Sequence, residues 1–143
     1  MKKLLFILIV AFAVVSASFA AEVKPMAMKN SAVGGAALNV YTPGVEGGEG
    51  VNNVGLLIRT WGKVTAVDAE HSVLFISDGT ARVVGSGNTG LRVRLDSLAE
   101  GVTITPPAVG SFVAITAISS TAVADGKIYS CLRPRSQDDI IVF

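Results

Sequence analysis

Residues 56–67 have the sequence LLIRTWGKVTAV, and this stretch decides the fold. Its residue types alternate as in a half-buried β-strand, with one set facing a core and the other facing outward. The inward set is Leu56, Ile58, Thr60, Gly62, Val64 and Ala66, and the outward set is Leu57, Arg59, Trp61, Lys63, Thr65 and Val67. A glycine in the middle of a strand marks a bend. Gly62 therefore predicts one long strand that serves two sides of a barrel.

Shorter strands follow along the chain. Residues 73–77 end at the turn pair Asp78-Gly79, and residues 91–95 alternate cleanly, with Arg92 and Arg94 pointing outward. Further extended segments are predicted at residues 80–84, 111–118 and 127–132. The pattern predicts an all-β fold, a small five-stranded barrel of the OB type, closed or partly open. An immunoglobulin-like sandwich is the alternative, although that class usually has about seven strands.

Four segments carry a resemblance to a known group of domains. They are VNNVGLLIRTWGKVT (residues 51–65), FISDG (75–79), VGSFV (109–113) and LRPRS (132–136). Over residues 52–142 the chain resembles OB-fold domains found in secreted bacterial proteins of unknown function. The resemblance implies the fold but leaves the activity open, because OB folds bind single-stranded nucleic acids, oligosaccharides or proteins.

The N-terminus has the three parts of a secretory signal peptide. Lys2 and Lys3 precede an apolar run at residues 4–15, and small residues follow, so cleavage is expected after Ala20. The alternative is an uncleaved membrane anchor, because residues 4–21 have about the minimum length that spans a bilayer. Residues 1–20 therefore predict export to the periplasm, the cell surface or the medium, with no stable membrane span after cleavage.

Between the signal peptide and the barrel domain (residues 55–143) lies an arm, residues 21–54. It is rich in glycine and has too little apolar mass for a core of its own, so an extended conformation is expected. One strand is predicted within it, and its residues Leu38, Val40 and Tyr41 are the candidate assembly strand. This strand pairs either with its own domain or with a neighbouring molecule.

Charge and cysteine content limit the function classes. Without Lys2 and Lys3 the mature chain has 10 basic and 11 acidic side chains, a net charge of −1. This balance argues against a polyanion binder driven by electrostatics. The single cysteine, Cys131, has no internal disulfide partner, and a small buried residue on a strand is expected. An intermolecular disulfide or a reactive thiol is the alternative.

The sequence predicts no catalytic, cofactor or metal site. GSGNTG at residues 85–90 matches a dinucleotide-binding spacing, but the segment after it is predicted to be a strand, whereas that chemistry needs a helix. The only histidine, His71, is far along the chain from Cys131, and the carboxylates fit no calcium-loop spacing. A secreted enzyme is therefore the last of three functional hypotheses.

The outward register suggests one candidate ligand face, made of Trp61, Phe75, Arg92 and Arg94. Aromatic rings interleaved with arginines can stack on bases or sugars and contact phosphates. Coverage of Phe75 and Trp61 by the arm is the favoured alternative, because an exposed apolar patch attracts cover.

The leading functional hypothesis is a non-enzymatic secreted binding or assembly module. Its arm or its strand edges would engage a protein partner or other copies of the chain. The alternative is a module that binds single-stranded nucleic acid or oligosaccharide on the candidate ligand face.

Overall fold

The computed structural model describes residues 23–80, 83–84 and 87–143. These residues form nine β-strands and two 3₁₀ segments, Asn30–Ala32 and Gln137–Asp139. The strands are β1 (Met26–Ala27), β2 (Leu57–Asp68), β3 (Val73–Ser77), β4 (Val83–Val84), β5 (Asn88–Thr89), β6 (Leu91–Arg94), β7 (Phe112–Ala124), β8 (Lys127–Arg133) and β9 (Ile140–Val142). The all-β prediction is confirmed for this part of the chain. The predicted signal peptide, and residues 81–82 and 85–86, lie outside the described residues.

Five strands of the main sheet close into a ring. β2 pairs with β3, β3 with β6, β8 with β7 and β7 with β2, all antiparallel, whereas β6 and β8 pair in parallel. β1 and β9 are the edge strands of this sheet, and β4 and β5 form a separate pair. The main sheet therefore closes on itself, unlike the two facing sheets of a sandwich.

β2 changes its neighbour close to Gly62. Residues 57–63 pair with β7, and residues 63–68 pair with β3. A Cβ atom on Gly62 would lie 2.8 Å from the backbone carbonyl carbon and oxygen of Ser77, so glycine is needed for this close approach. The prediction that one long strand serves two sides of the structure is confirmed for the ring.

The predicted inward face is correct from Ile58 to Val64 and wrong on either side: Leu56 precedes β2 and is 46% exposed, and the alternation breaks after Val64. The register with β3 shifts between Val64 and Ala66, which makes Thr65 the extra residue of a β-bulge. After the bulge, Val67 packs against the main core and Ala66 packs against a second, outer cluster. The main core inside the ring consists of Val33, Ile58, Val64, Leu74, Ile76, Leu91, Val93, Val113, Ile115, Ala117, Leu132 and Ile140.

The N-terminal arm packs against its own ring. β1 runs parallel to the start of β2, and Val33 is fully buried in the main core. Two buried asparagines of the arm bond to the ring: Asn30 donates from Nδ2 to the carbonyl oxygen of Trp61 (3.0 Å), and Asn53 Oδ1 accepts from Oγ of Ser119 on β7 (2.8 Å). The described part of the arm is therefore built into this domain and is not a free extended segment.

The predicted strand within the arm is wrong. Its residues Leu38, Val40 and Tyr41 lie in a tight turn, which we call the arm turn. Leu38 donates its N–H to the carbonyl of Thr42 (3.0 Å), and Oδ1 of Asn39 accepts the N–H groups of Tyr41 and Thr42 (2.9 Å each). An asparagine side chain that bonds the following amides favours a turn over a strand, which explains the difference.

An ion pair holds the connection from β8 to β9. Asp139 accepts hydrogen bonds from the backbone N–H, Nε and Nη2 of Arg135 at 2.7, 2.9 and 2.7 Å. Burial raises the pKa of Asp139, but the hydrogen bonds from Arg135 outweigh this effect and keep the pKa below its ordinary value. On β8, Cys131 is fully buried, as predicted. The described part of the chain contains no helix with the length and apolar composition that a membrane crossing requires.

Candidate functional site

The residues predicted to form one ligand face lie in two places. Phe75 on β3 lies directly opposite Arg92 on β6, and Arg94 follows on the same side of β6. Trp61 lies on the half of β2 that pairs with β7, whereas Phe75 is opposite Ala66. Trp61 and Ala66 are five positions apart along the strand, which is roughly 16 Å. The structure therefore does not bring Trp61 together with the other three residues.

Trp61 belongs to an exposed apolar surface that crosses three strands. Trp61 of β2, Ala114 of β7 and Ile141 of β9 lie opposite one another, and in the next row Phe112 lies opposite Phe143. Side chains at such positions on one side of a sheet have Cβ atoms within about 5–8 Å of each other. Trp61 is 58% exposed and Phe143 is 80% exposed. We call Trp61, Phe112, Ile141 and Phe143 the tryptophan face.

Two cations border the tryptophan face. Arg59 and Lys63 occupy the outward positions before and after Trp61 in β2, and both are exposed. The carbonyl oxygen of Trp61 accepts the hydrogen bond from Asn30, so the arm also anchors the backbone that carries the indole ring. The tryptophan face thus combines exposed aromatic rings with positive charge on a hydrogen-bonded sheet.

β9 offers an open edge beside this face. Phe143 donates its N–H to the carbonyl of Phe112 (3.0 Å), which makes these two residues a hydrogen-bonded pair. Bonded and non-bonded pairs alternate along an antiparallel ladder, so the backbone groups of Val142 turn away from β7 toward the outer edge. An edge of this kind can pair with an added strand.

The second surface is a pocket of 260 Å³ on the outside of β3 and β6, which we call the arginine pocket. It is lined by Asp68, His71, Val73, Phe75 and Arg92. The guanidinium carbon of Arg92 lies 5.8 Å from the centroid of the Phe75 ring, a distance at which the ring attracts a cation. At the open end, Oδ2 of Asp68 lies 2.9 Å from Nδ1 of His71. The backbone hydrogen bond from His71 is the main cause that lowers the pKa of Asp68.

Phe75 is not available for stacking. Its side chain is only 2% exposed, because Val73 and Tyr129 pack with it in the outer cluster. The expectation that the arm covers Phe75 and Trp61 is wrong on both points: Phe75 is covered from its own sheet, and Trp61 is exposed.

Arg92 is the cation of the arginine pocket that remains available to a ligand. Arg94 is occupied by an ion pair with Asp96, and hydrogen bonding from Arg94 lowers the pKa of that carboxyl group. Arg92 forms no ion pair with a described residue, and its buried Nε has no hydrogen-bond partner there. Arg92 can therefore donate hydrogen bonds to an anionic group that enters the pocket.

Cys131 lies beneath these arginines. Burial raises the pKa of its thiol, although the nearby guanidinium groups of Arg133, Arg94 and Arg92 oppose this shift. A buried thiol with a raised pKa is a poor nucleophile, so a structural role fits Cys131 better than a reactive one.

The arm turn is the most exposed apolar segment near the N-terminal end of the described chain. Leu38, Val40 and Tyr41 are 71%, 88% and 92% exposed. The sequence identified these three residues, but with the wrong backbone conformation. It missed Phe112, Ile141 and Phe143 of the tryptophan face. A usable signal for Ile141 and Phe143 was the apolar end of the chain at residues 140–143.

Comparison of the chain with protein-family models and with curated proteins gives no match. Among the described residues, no group of three or more histidine, cysteine, aspartate or glutamate side chains is placed to hold a metal ion. Function is therefore inferred from the tryptophan face, the arginine pocket and the arm turn.

Proposed function

We propose that the chain is an exported, non-enzymatic OB-type module that makes protein contacts, including contacts between copies of itself. Two features support the OB-type barrel: the ring of five strands, and the long β2 that serves two neighbours. The composition of residues 1–20 supports export.

The tryptophan face carries this proposal. Four large apolar side chains on adjacent strands stay exposed in a chain that buries the outward aromatic side chains of its outer cluster, Phe75 and Tyr129. Scattered exposed apolar residues are ordinary, but a contiguous aromatic patch is typical of protein contact sites. Aromatic side chains also contribute much of the binding free energy at such sites, because each buries a large area at a low cost in conformational entropy.

Analytical ultracentrifugation of the mature chain, residues 21–143, at several concentrations tests the proposal. We expect a mass that rises with concentration in the parent chain, and loss of this rise in Trp61→Ser and Ile141→Asn. Val23→Ser is the matched control, because Val23 is an exposed apolar residue before β1 that belongs to neither the tryptophan face nor the arm turn. A parent chain that stays monomeric at every concentration would refute self-association.

The arginine pocket supports a second candidate function, the binding of an acidic oligosaccharide. Arg92 lines the 260 Å³ pocket and forms no ion pair with a described residue, so its guanidinium suits a carboxylate or sulfate on a sugar. Single-stranded nucleic acid fits less well. Phe75 is buried and Trp61 lies on the other surface, so no exposed aromatic ring is available there for base stacking.

Titration with a uronic-acid oligosaccharide and with a single-stranded oligonucleotide tests the second candidate. Arg92→Gln should weaken oligosaccharide binding about tenfold or more, because a hydrogen bond between charged groups contributes about 1.5–3 kcal/mol. Arg59→Gln is the control, since it removes an equal charge outside the pocket. If Arg92→Gln leaves the affinity for the oligosaccharide unchanged, the arginine pocket is excluded as its binding site.

A further inference from the structure

We propose that the tryptophan face of one copy receives the arm turn of a second copy, so that copies join head to tail. This inference rests on the proposed function and names the partner surface. The occupant is a second copy of this chain, and the parts that enter are the side chains of Leu38, Val40 and Tyr41.

The arm turn has the form of a preorganised ligand. Its backbone is closed by the hydrogen bond from Leu38 to Thr42 and by the two bonds to Oδ1 of Asn39. Three apolar side chains project from this closed turn into solvent. A segment that is already ordered loses little conformational entropy on binding, which favours association.

The arm turn and the tryptophan face lie at opposite ends of β7. Four residues after the turn, Glu46 donates its backbone N–H to the carbonyl of Ile128 (2.6 Å). Ile128 is next to Lys127, which pairs with Ala124, the last residue of β7. Phe112 of the tryptophan face is the first residue of β7. The strand has 13 residues, which correspond to about 40 Å of extended chain. This placement favours contact with the tryptophan face of another copy.

The chain segment around the arm turn and the border of the tryptophan face differ in charge. From residue 30 to residue 58 the chain has two acidic side chains, Glu46 and Glu49, and no lysine or arginine. Glu46 is paired with Lys127 (2.9 Å), whereas Glu49 is exposed and makes no ion pair with a described residue. The tryptophan face is bordered by Arg59 and Lys63. The segment that carries the arm turn therefore has one unpaired negative charge, at Glu49, and the face has a basic border, which favours this pairing over contact between two like surfaces.

Such a contact is heterologous, because it joins two different surfaces. Each copy has one arm turn and one tryptophan face, so each can bind two neighbours. Heterologous contacts produce closed rings or open chains, whereas a contact between two identical surfaces stops at a dimer. The concentration-dependent mass is therefore expected to exceed that of two chains.

Mixing two complementary variants tests this inference. Trp61→Ser keeps the arm turn, and the double variant Val40→Ser/Tyr41→Ser keeps the tryptophan face. Each variant alone should be monomeric, and an equal mixture should give a species with the mass of two chains. Val23→Ser should assemble like the parent chain. Because all these side chains are exposed, unchanged urea midpoints for the separate chains establish that the variants remain folded.

Every other outcome overturns a specific part of the proposal. If the Val40→Ser/Tyr41→Ser variant assembles like the parent but Trp61→Ser does not, the face binds something other than the arm turn, and only this inference falls. A mixture that remains monomeric also refutes head-to-tail pairing alone. If Trp61→Ser assembles like the parent, or if the parent is monomeric, the proposed function falls as well.

Discussion

The tryptophan face and the arginine pocket occupy the same outward side of one ring, yet Trp61 of the face is exposed and the Phe75 ring at the pocket is covered. Both Trp61 and Phe75 point away from the main core. Around Phe75, Arg92 of the neighbouring β6 and Tyr129 of β8, one strand further, cover the ring. Around Trp61, the neighbouring β7 supplies the small Ala114, and the other side chains of the tryptophan face, such as Phe112 and Ile141, are themselves exposed. Alternation therefore sets the side on which a residue lies, and its cross-strand neighbours set its burial.

The largest expected effect comes from shortening the covered aromatic. Phe75→Ala should reduce the free energy of unfolding by about 3–5 kcal/mol, because it removes a buried ring and leaves a cavity beside Tyr129. Urea denaturation of the mature chain measures this loss. We expect a lower midpoint and an unchanged slope with denaturant.

Phe112→Ala is the matched control on the tryptophan face. It makes the same chemical change at an exposed ring, and the expected loss is about 1 kcal/mol or less. Equal losses in the two variants would contradict the contrast between a covered and an exposed surface.

A smaller effect is expected at the ion pair that leads into β9. Asp139→Asn should reduce the free energy of unfolding by about 1.5–3 kcal/mol at neutral pH, because Asp139 accepts three hydrogen bonds from Arg135. The pKa of Asp139 is lowered in the folded chain. Its contribution is therefore complete above the unfolded pKa of about 3.9 and is lost as the pH falls through the folded pKa.

Urea denaturation across the acid range measures this dependence. The difference between the parent and Asp139→Asn should be constant near neutral pH and should shrink in acid. Asp138→Asn is the control, because Asp138 is the exposed neighbour in the same 3₁₀ segment. A difference that does not change with pH would show that the Asp139 carboxylate charge is not the stabilising feature.

Much of the ring could be predicted from local patterns. The alternation of β2 from Ile58 to Val64 and the glycine at position 62 were sufficient to predict a long strand with two neighbours. Both are local signals, because period-two patterning and a close strand approach are visible within a few residues. The bulge at Thr65 was not predictable, since it depends on the register with β3. The arm turn was missed although Asn39, two residues before Tyr41, was a readable turn signal.

The candidate site was harder to predict than the ring. Phe75 and Arg92 belong to strands that are neighbours within the ring, and their outward direction followed from alternation. The neighbours of Trp61 come from β7 and β9, far along the chain, and no local pattern specifies which distant strands pair. The sequence therefore identified Trp61 as outward but assigned it to the wrong surface.

The smallest expected effect on stability is at Trp61 itself. In dilute solution, where copies are separate, Trp61→Ala should change the free energy of unfolding by about 0.5 kcal/mol or less, because the side chain is mostly in solvent. At high concentration the parent should gain stability from association and the variant should not, because a contact made only by the folded state stabilises it. Thermal unfolding at two concentrations measures both quantities. A large loss in dilute solution would mean that Trp61 supports the fold, and its exposure would then no longer argue for a contact surface.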